Sequence, residues 1–235
     1  MTVAEKIARA KADYDAVYEA GKKAGGGDAE YKRFWSALQD NGNRTSYLYG
    51  FYQWRVDAID PQYDVRPINA TNMFQSVTAY NGKSLSIPEL EARNGIKFDF
   101  SKTTAFGNWL GWGAIEDLGF VDTTSCPNPN FSSCNILKKL SIALKEDGSQ
   151  NCSGAFDYDS GLEDLTIVSG VFGSNLNFSW SPLSKDSILS VFNALSTTTT
   201  GLTVTFKQTA VEAAFTTDEW NALIATKTNW TYALA

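Results

Sequence analysis

The residues that could do chemistry are few, and their spacing decides what they can do. Asp157, Asp159, Glu163 and Asp164 fall within eight positions and superficially resemble a calcium loop. An EF-hand loop needs an oxygen ligand at its fifth position and a bidentate Glu at its twelfth, where this chain has Gly161 and Val168. The adjacent pairs Glu116-Asp117 and Glu163-Asp164 point to opposite sides of a turn or strand, so neither pair forms a general acid and base facing one bond. They read as solvated edges. Cys126, Cys134 and Cys152 are odd in number and fit no zinc spacing, which makes them small buried apolar residues rather than a disulfide or metal set. The chain has no His, which removes His-activated nucleophiles, His-containing zinc sites and an imidazole pH switch. Gly107, Gly111 and Gly113 surround Trp109 and Trp112 without the Lys or helix start of a phosphate loop. That stretch reads either as a bulged repeat or as a Gly-flanked loop on which Trp109 and Trp112 are surface-contact residues. No catalytic, metal or cofactor residues are assigned, and the expectation is a protein that is not an enzyme.

Composition supports the same direction. The 235 residues are 43% hydrophobic, enough for a sizeable core, and the 14 Phe, 10 Tyr and 7 Trp suit a rigid binding or structural surface. With 20 Lys+Arg against 26 Asp+Glu, no basic surplus exists to neutralise a phosphate backbone, so nucleic acid is not an expected partner. No apolar run reaches the roughly 18 residues of a membrane span, and Met1-Thr2-Val3-Ala4-Glu5-Lys6 is not a secretory signal. The chain is expected to be soluble, unexported and not inserted in a membrane.

The elements that would carry a surface follow from periodicity. A Thr2/Glu5 capping box opens a helix in which Val3, Ile7, Ala10, Tyr14 and Val17 recur at a/d heptad spacing. The narrow stripe suits self-association, with a homo-oligomer expected and a trimer favoured; the alternative is an amphipathic helix lying on its own domain. Residues 1–24 are thus an oligomerisation or docking stalk. Gly25-Gly26-Gly27 then breaks the helix, and residues 25–66 read as a helix with Tyr31, Phe34, Trp35 and Leu38 on one face, followed by an aromatic collar.

Residues 67–235 form the body, where internal repeats emerge. Phe131-x5-Leu137-x2-Leu140-x-Ile142 and Phe156-x5-Leu162-x2-Leu165-x-Ile167 match without a gap, and Trp109-x5-Ile115-x2-Leu118-x-Phe120 is a looser copy. In each unit Leu-x-Ile supplies the inward residues of a short strand while the aromatic and the first Leu fill the interior from the turn before it. Further on, Leu176-Asn-Phe178-Ser-Trp180 and Leu202-Thr-Val204-Thr-Phe206 alternate as strands, and Ser184 caps a helix carrying Ile188, Val191, Phe192 and Leu195. A Thr216/Glu219 capping box begins another helix, and Trp230-Thr-Tyr232-Ala-Leu234 is a closing strand. Phe178, Val204 and Tyr232 are taken as equivalent positions of successive coils. The expected fold class is α+β, a leucine-rich-repeat-like solenoid with an N-terminal helical coiled-coil stalk and a C-terminal capping strand.

The pattern Phe-x2-Cys-x2-Leu-x2-Leu-x-Ile resembles the BspA-like class of leucine-rich repeats. The chain as a whole resembles the small prophage-borne repeat proteins of gut Firmicutes, encoded among tail or baseplate genes. The resembling pieces include Ala4-Glu5-Lys6-Ile7, Glu30-Tyr31-x2-Phe34-Trp35, Asn41-Gly42-Asn43-Arg44-Thr45, Leu176-x3-Trp180-x2-Leu183-Ser184 and Glu219-Trp220-x2-Leu223-Ile224. The three-glycine insertion and the stretch from Gly107 to Pro129 depart from the pattern. The resemblance implies a non-enzymatic phage structural protein, tail-fibre or baseplate-associated, located in the virion. Its expected partners are itself, other phage tail proteins, and a host surface glycan or protein. The alternative is a BspA-like bacterial surface adhesin or protein-interaction module at the cell surface.

Overall fold

The computed structural model describes residues 85–88, 91, 98–106 and 115–235. The expected stalk at 1–24 and collar at 25–66 lie outside these residues.

Four parallel strands form the first sheet, in the order β1 (Leu85–Ser86), β2 (Ile115–Asp122), β3 (Lys139–Ala143) and β4 (Asp164–Ser169). Three more form a second parallel sheet, β5 (Leu176–Phe178), β6 (Leu202–Phe206) and β7 (Trp230–Leu234). Helix α1 (Lys185–Asn193) connects β5 to β6; α2 (Gln208–Ala214) and α3 (Thr217–Ile224) connect β6 to β7. The described residues are therefore a mixed α/β structure with two separate parallel sheets, which corrects the expectation of an α+β leucine-rich-repeat solenoid.

The break between the sheets has a visible cause. The outer edge of β4 is occupied by a helix instead of a strand: Leu165 N–H donates to Ser187 Oγ and Ile167 N–H to Ser190 Oγ, each at 2.8 Å. Both hydroxyls sit on α1 three residues apart, one turn of one helix face. Once those donors are satisfied, β4 has no call for a further strand, and β5 pairs only with β6. The periods differ as well. Leu140 faces Leu165, an offset of 25, whereas Leu176 faces Val204 and Val204 faces Tyr232, offsets of 28.

Local register also departs from the sequence reading in two places. Gly119 adopts φ +64°, and β2 shifts register between Asp117 and Phe120, so that Val121 rather than Phe120 faces Ile142. Val121 is fully buried and Phe120 is 52% exposed. A Cβ at Gly119 would lie 2.7 Å from Pro88 Cγ, so both the backbone conformation and the space require glycine. In the second sheet, Leu176 and not Phe178 is the partner of Val204, and the strand stops at Phe178, leaving Trp180 on the following turn. The predicted caps do form: Ser184 accepts from Ser187 N–H, and the Thr216/Glu219 box is reciprocal. Helix α2 was not foreseen, because its Lys207 N-cap makes no side-chain cap bond.

The strands' inward residues build one core across both sheets, and at its centre runs a column of aromatic rings. Phe98, Phe100, Phe106, Phe131, Phe156, Phe178 and Phe206 touch in sequence, with neighbouring centroids 4.9–6.1 Å apart. Trp220 of α3 closes the column with an edge contact on Phe206. The shortest step, Phe156 to Phe178 at 4.9 Å, crosses from the first sheet's side to the second. Replacing Phe156 with Ala should cost about 3–5 kcal/mol in denaturant unfolding, by cavity formation and the loss of two stacked partners. A cost below about 1 kcal/mol would mean that the column does not join the sheets.

Candidate functional site

Three successive turns place equivalent residues in file. Two positions after column residues Phe131, Phe156 and Phe178 stand Ser133, Tyr158 and Trp180; one position further stand Cys134, Asp159 and Ser181. The first file points to solvent and the second to the interior.

The outward file is set by backbone geometry. Ser133 and Tyr158 both adopt left-handed φ values, 64° and 63°, and are the only such non-glycine residues among those described. The turns are stitched to each other by Phe131 N–H to Ala155 C=O and Ser133 N–H to Asp157 C=O, both 2.8 Å. Asn130 and Asn177 each accept the N–H two residues on, fixing the turn entrances. The outcome is that Tyr158, 59% exposed, lies against Trp180, 52% exposed, with ring centroids 5.7 Å apart and planes at 42°. Exposed Ser133, Asn135 and Ser160 flank this pair, and Ser160 Oγ bonds Asn135 Oδ1 at 3.1 Å.

The inward file holds a carboxyl in the core. Asp159 is fully buried, and its Oδ1 accepts Cys134 N–H at 2.7 Å. Asp159 Oδ2, Asp157 Oδ1 and Ser181 Oγ are buried without a hydrogen-bond partner. Burial, reinforced by the Asp157 charge and opposed by the Cys134 N–H, pushes the Asp159 carboxyl up to about 8. It is therefore a neutral acid at neutral pH. Burial also pushes up the Cys134 thiol, with the Asp159 charge adding to it, and raises Cys152 to about 12. All three cysteines are buried and free. Neither Asp159 nor Cys134 reaches solvent, so an approaching molecule meets the two rings and the neighbouring amide and hydroxyls.

The acidic pairs of the sequence lie at the surface, where Lys138 meets Glu116 at 3.6 Å and Lys139 meets Asp164 at 3.8 Å. Exposed pairs of this kind contribute little stability. Among the described residues, no group of three or more His, Cys, Asp or Glu side chains converges as metal ligands. The sequence-predicted contact residues Trp109 and Trp112, and the self-association residues Val3, Ile7, Ala10, Tyr14 and Val17, lie outside the described residues. The Tyr158–Trp180 pair escaped the sequence reading. Its signal was present: aligning Phe156 with Phe178 brings the two aromatics into the same turn position. The alignment of Phe131 with Phe156 likewise places Asp159 opposite the apolar Cys134, marking it as an interior carboxyl. Comparison with family models, curated proteins and solved structures finds no match to this chain.

Asp159 makes stability depend on pH. Its carboxyl stands at about 8 in the fold against 3.8 for an unperturbed Asp, so the folded state holds the extra proton between those values. Stability should fall as pH rises through that window and level off above it. Asp159→Asn keeps an acceptor for Cys134 N–H and cannot ionise. In urea unfolding it should be more stable than the parent at pH 8 by at least about 1 kcal/mol, and lose that advantage near pH 4. Parallel pH profiles for the two proteins would refute the assignment.

Proposed function

We propose that the protein is a non-enzymatic phage structural protein, tail-fibre or baseplate-associated, which uses the turn face around Tyr158 and Trp180 for host recognition or virion assembly. The observation that carries this reading is the exposed ring pair itself, held by a left-handed backbone residue on a rigid stacked scaffold. Nonpolar rings cost solvation when left in water, and a non-glycine residue in the left-handed region costs about 1–3 kcal/mol, a combination found at binding surfaces. Aromatic side chains offer large contact area at little conformational cost, and polar neighbours such as Ser133, Asn135 and Ser160 add directional hydrogen bonds. The sequence resemblance at both ends of the chain supplies the phage context, and the heptad at Val3, Ile7, Ala10, Tyr14 and Val17 supplies a means of multivalent display.

The test combines mass and binding. By light scattering, the full-length protein should contain more chains per particle than a variant beginning at Gly25. Tyr158→Ala combined with Trp180→Ala should lower retention on bacterial cell envelopes or tail-protein fractions at least about tenfold, with an unchanged melting temperature. Equal chain numbers together with unaltered retention would reject the proposal.

A further inference from the structure

The two sheets end differently. At β4 the outward N–H groups of Leu165 and Ile167 are capped by the hydroxyls of Ser187 and Ser190. At β7, the outer strand of the second sheet, no such cap exists among the described residues. Ala235 both donates to Phe206 C=O and accepts from Gln208 N–H, so its two backbone groups face β6. Alternation in a parallel ladder then turns Thr231 and Ala233 toward β6 and turns the N–H and C=O of Tyr232 and Leu234 away from it. The β6–β7 register is regular over its five pairs, with no bulge to twist the edge aside. The segment Asn229–Ala235 contains no Lys, Arg, Asp, Glu or Pro, the residues that normally blunt an edge. On the core side, Tyr232 is half-buried and Leu234 is 41% exposed, although their register partners Val204 and Phe206 are fully buried.

We propose that the β7 edge is an interface with the β7 edge of a second copy of this chain, paired antiparallel about a two-fold axis at Ala233. That axis sets Tyr232 opposite Leu234 of the other copy, so that about four backbone hydrogen bonds form between outward-facing groups. It also lays each Tyr232 ring beside the other copy's exposed Leu234, extending the core across the junction. On the opposite face the two Ala233 side chains meet, and neither is large enough to obstruct the approach. An uncharged edge is self-complementary without like-charge repulsion, which favours an isologous contact. This interface is independent of the turn face proposed above for binding.

Leu234→Pro provides the test, because it deletes an outward N–H and leaves the bonds to β6 intact. Leu234→Lys is the second variant and places a charge on the same edge. Light scattering on the full chain should give twice as many chains per particle for the parent as for either variant. Should Leu234→Pro fail to fold, Leu234→Lys decides the matter alone. The same number of chains in the parent and in every folded variant would overturn the proposal.

Discussion

Seven phenylalanine rings from Phe98 to Phe206 follow one another in contact through the core of the described residues, closed by Trp220, and the arrangement of the strands and turns around them keeps that column continuous. From Phe106 to Phe206 the rings recur at intervals of 22–28 residues, so each successive unit must return to the same axis. Burying a Phe side chain yields roughly 1.5–3 kcal/mol, and each ring pair adds about 0.5–1.5 kcal/mol. No single turn–strand unit could collect this alone, since a ring needs neighbours above and below. Strand pairing of the first sheet stops at β4, but the column does not: Phe156 and Phe178 remain in contact where the ladder breaks.

That continuity explains how a parallel arrangement tolerates an interrupted sheet. Backbone groups at the end of a sheet must find partners wherever water is excluded. Serines 187 and 190 of α1 supply them at β4, and the same helix fills the space beside the strand with Ile188, Val191 and Phe192. A helix can replace a strand there because two hydroxyls one turn apart match alternate residues of the edge. Thereafter the units lengthen to 28 residues to include helices, and the second sheet begins with its own register.

The turn face inherits its order from the same stacking. Ser133, Tyr158 and Trp180 line up because the rings two positions before them do. Immediately beneath, Asp157 Oδ1, Asp159 Oδ2 and Ser181 Oγ are left buried and unpaired. Asp159 bridges to the preceding turn through Cys134 N–H, so the buried acid ties adjacent turns together while its neutral form limits the cost of burial. The exposed Tyr158 ring and this interior carboxyl are thus two sides of one turn.

Most inward residues of the two matching repeats were readable from the amino-acid order, because Phe-x5-Leu-x2-Leu-x-Ile encodes burial through a strand's two-residue alternation and the turn before it, although Ile167 is only partly buried and Phe120 of the looser copy faces out. Phe131, Leu137, Leu140 and Ile142, like Phe156, Leu162 and Leu165, are all buried. The Ser184 and Thr216/Glu219 caps were readable too, since a cap is a bond between residues three apart. What periodicity could not reveal was decided by contacts between distant residues. At Gly119, where the register slips by one residue, the space left for a side chain is set by Pro88, more than thirty positions away. The end of the first sheet depends on hydroxyls of α1 meeting N–H groups of β4, and the exposed pair depends on Tyr158 and Trp180 sharing a rim across 22 residues. Local patterns determine what a residue would bury; only the assembled chain determines what it is buried against, and which edges and rings remain uncovered.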